Sequence, residues 1–400
     1  MKLQLGLVFL LFNLIYLYLE MPVFALGFVD WSNLLIIWGG LLLFIASLAL
    51  LNKFRQFVIS TPWGELIRKI FPQLFNERTN IVDIADHRNN AQLHQRYKRM
   101  AAIGLVLLIV GVANLFILPI LTSAPILFSS SYRGLLGEVK ESSFTSDVEP
   151  INLSQIRIID EETARKLAEK TIGEVPALGS EVQVGQMSLQ KVKGKLYYVV
   201  PLEHRGIFQW ISNYRHGSKG FVMVSATNPQ DVRLIQNVNG KEVYLKYQTK
   251  GFLLDYLPRY LYLHGVVNVG MADFSFEIDD DLNPYWVVTL YKNKIGYRGA
   301  DAVAAITVNA QTGEINRYAL NELPGWIDRV QPEEMVYQQI KDWGEYINGF
   351  WNTVFAKTGT LKPTDVDLHL IYGNDDNVYW YTGITSSGKD GSSVGFILVN

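Results

Sequence analysis

Charged residues break off in three long stretches near the start of the chain. Leu3 to Leu19, Trp31 to Asn52 and the whole segment between Arg99 and Arg133 contain no Asp, Glu, Lys or Arg, and the last is apolar from Ala101 to Ile120. About 20 apolar residues in a helix cross a hydrocarbon core of about 30 Å, so the pattern predicts three transmembrane helices, the first at the lower limit of length. Val23-Phe24-Ala25, after a short apolar run with a basic start, also outlines a signal peptide. Cleavage within residues 1–25 therefore stays open for the first span.

Farther along, the period changes from continuous to alternating. Three segments share one plan: an aromatic β-run, a glycine-bearing polar loop and a second β-run. They are Lys195 to Val200 with Phe221 to Val224, Pro284 to Leu290 with Val303 to Val308, and Val378 to Ile384 with Val394 to Val399. Each reads as an antiparallel hairpin, anchored in turn by Tyr198, Trp286 and Trp380. Two are preceded by helical spacing: Asp160 to Thr171 puts Ala164, Leu167 and Ala168 on one face, and Gln331 to Phe355 opens with Pro332-Glu333-Glu334. Before the second hairpin only Leu257-Pro258-Arg259-Tyr260-Leu261 remains of such a helix. The predicted fold class is a membrane protein: three N-terminal transmembrane α-helices, then an extracytoplasmic α+β region of tandem helix-plus-antiparallel-hairpin modules. The expected divisions are two spans in 1–52, a loop at 53–99, the third span at 100–128, and modules at 129–250, 251–330 and 331–400.

Charge sets the orientation. The segment 53–99 carries nine Lys/Arg against four acids, whereas 20–30 has neither Lys nor Arg, which places 53–99 and the N-terminus in the cytoplasm and everything after the third span outside. Thr61-Pro62 followed by Trp63, Leu66, Ile67, Ile70, Phe71, Leu74 and Phe75 predicts an amphipathic helix in that loop. Residues beyond 100 hold 26 basic and 32 acidic side chains, a mildly acidic domain that excludes nucleic acid as a partner. The chain has no cysteine, which removes disulfides, Cys-ligated metals and thiol nucleophiles, and suits a bacterial envelope.

The helix led by Glu161-Glu162-Thr163-Ala164, the paired strands, and the turn Asn309-Ala310-Gln311-Thr312-Gly313-Glu314 together resemble the PepSY family of small extracytoplasmic domains. Ala226-Thr227-Asn228-Pro229 fills the turn slot of the first module without the glycine. The layout of spans followed by such modules also looks like an uncharacterised class of bacterial membrane proteins. The resemblance implies a binding or inhibitory accessory domain, and no catalytic residue or cofactor.

Chemistry is sparse otherwise. The six histidines form no i,i+4 pair, and the G-x-S-x-G match at Gly391–Gly395 precedes a β-run where a nucleophile elbow requires a helix. Asp279, Asp280 and Asp281, with Asp375 and Asp376, offer oxygen ligands suited to calcium. Both clusters sit in the turn before an aromatic strand, where the first module has Lys193-Gly194-Lys195, so an Asx-rich turn is the simpler expectation. Tyr197, Tyr285, Trp286, Tyr379 and Trp380 form a candidate binding surface, half of which must be core because strand side chains alternate. The expected function is a non-enzymatic envelope protein that binds or regulates a partner, with a structural subunit of a transport, cell-wall or secretion assembly as the alternative. The expected partners are the lipid bilayer and a protein or second copy of the chain, with a peptide or glycan as ligand. Finally, Val399-Asn400 falls where Val308-Asn309 stands in the second module. This predicts an unprotected edge completed by further chain or by another molecule, the alternative being cover from the 356–368 loop.

Overall fold

The computed structural model describes residues 2–59, 87–141, 156–372, 378–387 and 393–399. It divides into two compact units, Phe28–Thr122 and the remainder, Met1–Gly27 with Ser123–Asn400. The predicted amphipathic helix at 61–75 lies outside the described residues.

The apolar runs are helical: α1 (Lys2–Glu20), α2 (Ser32–Ile59) and α3 (His87–Val112), which continues through a π-turn at Ala113–Ile117 to Ser123. Among the described residues Gln95–Ser123 is the segment long and apolar enough to cross a membrane; the apolar parts of the other two, Phe9–Glu20 and Ser32–Ser47, are shorter. The third apolar helix ends at Ser123, short of the boundary expected at 128. Ala124 is extended, as the residue before a proline prefers, and Pro125 opens α4 (Pro125–Arg133).

Within Phe28–Thr122, α2 and α3 pack through glycine. A Cβ on Gly39 would stand 2.6 Å from the Gly104 carbonyl oxygen, and one on Gly104 would stand 2.9 Å from that of Gly39, so the backbones touch. The π-turn carries a buried polar residue, Asn114, whose Nδ2 donates to Ser32 Oγ at 2.6 Å and to the Phe28 carbonyl at 3.2 Å. An amide left unbonded among apolar side chains would cost several kcal/mol.

Among the described residues the other unit holds three larger sheets and two two-stranded ones, all antiparallel. The first module has α5 (Glu161–Gly173), capped by Asp160 whose Oδ1 accepts from Thr163 N at 2.7 Å. Its strands are β1 (Val182–Val184), β2 (Ser188–Val192), β3 (Lys195–His204), β4 (Phe221–Ser225) and β5 (Val232–Ile235), in the order β1–β3–β4–β5 with β2 also on β3. A short helix, α6 (Ile207–Asn213), is inserted between β3 and β4. The second module has α7 (Leu257–Leu263) and four strands in sequential order: β6 (Gly270–Ile278), β7 (Pro284–Ile295), β8 (Arg298–Asn309) and β9 (Ile315–Tyr318). In the third, the long predicted helix is two, α8 (Glu333–Glu345) and α9 (Gly349–Val354), broken where Gly349 takes φ +77°. Its strands are β10 (Leu361–Pro363), β11 (His369–Tyr372), β12 (Val378–Ser386) and β13 (Ser393–Val399).

Each hairpin thus has a further strand ahead of it, which the sequence pattern did not predict. Residues 361–363 and 369–372 pair with β12 on the side away from β13, so the 356–368 loop does not cover the β13 edge. No other strand pairs with β13 among the described residues.

The three modules repeat one another in register and in hydrogen bonding. Tyr198, Trp286 and Trp380 stand opposite Val224, Val308 and Val399. Each lies in the core with its module's helix: Ala164 and Ala168, Leu257 and Leu261, Val336 and Ile340. Each donates its one polar hydrogen to a main-chain carbonyl ahead of that helix. Tyr198 Oη donates to Ile159 O at 3.0 Å, Trp286 Nε1 to Tyr247 O at 2.8 Å, and Trp380 Nε1 to Gln331 O at 2.9 Å. In the first two modules the same segment is held again, as Ile158 N and Ile159 N donate to Ala226 O, and Lys246 N and Tyr247 N to Ala310 O. The turn after the hairpin's second strand also recurs. Asn309 Oδ1 accepts from Gln311 N and Thr312 N, and Ser225 Oγ accepts from Thr227 N and Asn228 N. A serine therefore does in the glycine-less turn what asparagine does in the other.

Replacing Trp286 separates packing from hydrogen bonding. Trp286→Phe keeps a ring but strands the Tyr247 carbonyl and is expected to cost about 1–3 kcal/mol. Trp286→Ala also opens a cavity and is expected to cost about 3–5 kcal/mol. Denaturant unfolding of the detergent-solubilised chain checks both, and a Phe variant as stable as the parent would mean that the hydrogen bond contributes nothing.

Candidate functional site

The aromatic residues expected to form a binding surface divide by face. Trp286 and Trp380 are the buried anchors just described and take no part in a surface. Tyr197 is buried on the other face of the first sheet, its hydroxyl donating to Asp231 Oδ2 at 2.9 Å. Tyr285 is half-buried and stacks on Trp326 with ring centroids 5.0 Å apart, and Tyr379 is half-buried on β12. The five residues form no common surface: Trp286 and Trp380 take the helix-facing position, Tyr197 enters the core shared with the second sheet, and Tyr285 packs on Trp326.

The first acidic cluster is a turn. Asp279 Oδ1 accepts from Asp281 N at 2.9 Å and Asn283 N at 2.8 Å, and its Oδ2 from Asn283 Nδ2 at 2.8 Å, with Asp280 and Asp281 exposed. The carboxylate is occupied by its own loop, as an Asx turn requires. Asp375 and Asp376 lie outside the described residues. No group of three metal-ligating side chains occurs among the described residues.

A cleft of about 930 Å³ lies elsewhere, between the second sheet and α8. Its sheet side is built by Tyr291 and Asn293 of β7 and by Arg298 and the neighbouring Tyr297. Gln338 and Asp342 of α8 face them, and Tyr132 and Leu135, following α3, close one end. Asp342 sits on the buried stripe of α8, 5% exposed, and burial pushes its carboxyl up to about 6 although Gln338 Nε2 donates to it at 2.9 Å. Burial also pushes the neighbouring Tyr346 phenol up to about 12, and its ring lies 5.9 Å from that of Tyr132. Arg298 is exposed and its charge lowers both acids. Such a lining offers aromatic faces and charges of both signs, which suits a polar or peptide-like ligand.

A second set of charges, of which Asp273 and Arg329 also line the cleft, lies where the three modules meet. Arg329 bridges them: it stands 3.4 Å from Asp273 of β6 and its guanidinium lies 5.1 Å over the Trp380 ring. Asp328 Oδ2 accepts from Lys191 N at 2.6 Å and lies 3.0 Å from the Tyr372 hydroxyl, which is also 2.9 Å from Leu189 O. Burial pushes Asp328 up to about 6. Glu277, wholly buried, is pushed to about 8, first by burial and then by the Asp328 charge; its Oε2 has no hydrogen-bond partner. Neither carboxyl lines the cleft. Perturbed acids of this kind mark catalytic sites when they face a substrate, and here they face the interior.

Pro332, Glu333 and Glu334 were read only as the start of a helix, and none of the cleft residues was singled out from the sequence as a binding residue. They come from segments far apart in the chain, from Tyr132 to Tyr346, and the one local signal is Asp342 on the helix stripe with Val336, Gln339 and Ile340. A smaller pocket of about 240 Å³ by Tyr197 and Arg233 is already occupied by polar pairing, since Arg233 Nε bonds Asp231 at 2.7 Å. Compared with protein-family models, curated proteins and solved structures, the chain matches none.

Glu277 makes stability depend on pH. The folded protein holds this proton up to about pH 8, whereas an unfolded glutamate releases it near its ordinary value of 4.5. Its contribution is therefore complete below about pH 4.5 and is lost as pH rises through about 8. Glu277→Gln is expected to match the parent at acid pH and to exceed it at about pH 9 by roughly 2–4 kcal/mol. Denaturation midpoints across that range check this, and parallel curves would contradict it.

Proposed function

We propose that this chain is a membrane-anchored, non-enzymatic envelope protein whose three PepSY-like modules bind or regulate a partner outside the cytoplasm. In this reading α1, α2 and α3 are the three spans, oriented by the basic 53–99 segment. The observation that carries the binding role is the open cleft between the second sheet and α8, walled by tyrosines and by Arg298 and Asp342.

Two features support the link between cleft and membrane. Both chain segments that follow the apolar helices α1 and α3 are pinned to the second module. After α1, Phe24 N donates to Val267 O at 2.7 Å, the Tyr262 hydroxyl donates to Pro22 O at 3.1 Å, and Asn293 Nδ2 donates to Gly27 O at 2.8 Å. Gly27 itself takes φ +86°, and a Cβ there would meet Gly296 O at 2.6 Å, so the linker lies against the β7–β8 hairpin tip. After α3, Ser123 Oγ accepts from Tyr297 N at 2.7 Å. The residues that frame the cleft, Tyr297 and Asn293 among them, are therefore the ones that hold these linkers.

The alternative, a structural subunit of a membrane assembly, draws on small-residue faces free for partner helices. Gly39, Gly104 and Gly111 are spent on the α2–α3 contact within the chain, so the binding reading is favoured.

Single cysteines test it cleanly in a chain that has none. Arg298→Cys in the cleft and Asn90→Cys in the basic segment are exposed in intact cells to a membrane-impermeant thiol reagent. Labelling is expected at 298 and not at 90. A thiol-attached photo-crosslinker at 298 is expected to yield a discrete adduct that a crosslinker at Asp280 does not. Labelling at 90 alone would contradict the orientation, and identical adducts at 298 and 280 would contradict the cleft.

A further inference from the structure

Between Glu203 and Asp231 the chain has no acidic residue, yet it carries Arg205, Arg215 and Lys219. In the middle of this stretch α6 (Ile207–Asn213) has no buried residue. Phe208 is 77% exposed and Ile211 52%. Leaving such side chains in water forgoes about 25 cal/mol for every Å² that burial would remove. The helix is nonetheless fixed in place. Trp210 Nε1 donates to Asp255 Oδ2 at 2.8 Å, and its ring lies 5.7 Å from that of Phe252.

Leu253 and Leu254, next in sequence to Phe252, are each 57% exposed. Leu253 takes φ +49°, a left-handed conformation costly for a leucine, which the fold maintains. What holds this turn is Arg259. Its Nη1 donates to Leu253 O at 2.9 Å and its Nε donates to Tyr18 O at 2.8 Å, with the guanidinium 4.0 Å over the Tyr18 ring. Tyr18 belongs to the last turn of α1, whose outward side chains Leu14, Ile15 and Leu19 are all more than half exposed. Arg259 thus ties the exposed Leu253–Leu254 turn to the end of α1, where exposed apolar side chains continue.

We propose that α6 and the Leu253–Leu254 turn form a lipid-binding face, seated in the headgroup region of the leaflet that the end of α1 reaches. This rests on the reading of α1 as a membrane span. Phe208, Ile211 and the two leucines enter the boundary with the acyl chains, as in interfacial helices buried by about 5–10 Å. Arg205 and Arg215 flank the helix and meet lipid phosphates, and residues 204–230 add no acidic side chain that anionic headgroups would repel. A second bare patch follows the other apolar helix in the same way. Leu127 of α4 is 65% exposed, and α9, which packs on α4, carries Phe355 just after its end at 78%. The ectodomain then lies along the membrane, and its cleft opens close to the bilayer.

The test uses the full chain in lipid nanodiscs of phosphatidylcholine and phosphatidylglycerol, with an environment-sensitive fluorophore on one introduced cysteine. Three positions are compared: Phe208→Cys, Leu14→Cys on α1, and Glu322→Cys on an exposed loop. Acyl-brominated lipids are expected to remove most of the emission at 14 and at 208 and to leave 322 unchanged. Quenching at 14 without quenching at 208 overturns the lipid face and leaves the span intact. No quenching at 14 overturns the span reading on which the proposal rests. Blue-shifted emission at 208 that brominated lipids do not quench, and that fades on diluting the protein, assigns the patch to a second copy of the chain and also overturns it.

Discussion

The second module has too little helix to cover its own sheet, and the arrangement of the rest follows from that shortage. In the second module the two central strands fill Pro284–Ile295 and Arg298–Asn309, whereas α7 spans only Leu257–Leu263. A strand also advances roughly twice as far per residue as a helix, so α7 reaches along only a fraction of the sheet. The uncovered apolar face is filled by the back of the first sheet. Tyr197, Val199, Phe221 and Met223 enter one core with Phe276, Trp286, Val288 and Ile306. The first sheet is consequently buried on both faces, which is why β3 and β4 are buried at nearly every position and lack a polar side. The third module leans on the first in turn, with Tyr372 and Leu370 reaching the core around α5.

Stacking sheets in this way buries strand edges whose main-chain groups still need partners. Gln190, 1% exposed, answers that need. Its Nε2 donates to Ile278 O and Trp326 O, while its Oε1 accepts from Ile278 N, so one side chain stands in for a strand neighbour at the β2–β6 edge. Asp328 does the same for Lys191 N, and Arg329 spans Asp273 and Trp380. The buried carboxyls are a consequence of closing three sheets on each other. The cleft is the gap that remains on the side toward α8, lined by Asp342 and Arg298.

Much of the module plan was legible because its determinants are local. The aromatic anchors and their β-runs stood out by composition and alternation, and the helices at 161 and 333 by their acidic first turns. What stayed hidden needed distant information. The strands ahead of each hairpin are short or irregular: β6 carries a bulge between Ala272 and Phe274, and β10 is confined to Leu361–Pro363. The break between α8 and α9 falls at Gly349, which takes φ +77°, while Gly344 inside α8 is fixed by a distant contact, since a Cβ there would stand 2.5 Å from Leu361 O. Alternation indicated that half of the aromatic residues would be core, but not which half. The hydrogen bonds at Tyr247 and Gln331 decide that, and each joins parts of the chain that are distant in sequence. The turn after the second hairpin was read from Asn309, while its counterpart at Ser225 shares the geometry and not the letters.

If the first sheet completes the second module's core, damage to one must be felt in the other. Phe221 lies wholly buried on the first sheet, with its ring 5.8 Å from that of Phe276. Amide hydrogen exchange of the full chain carrying Phe221→Ala measures the coupling directly. The account predicts that protection falls in residues 284–309 of the second module as much as in 195–204 of the first, by the roughly 3–5 kcal/mol that such a truncation costs. Protection lost from 195–204 while 284–309 exchanges as in the parent would show that the modules are independent domains, and would contradict it.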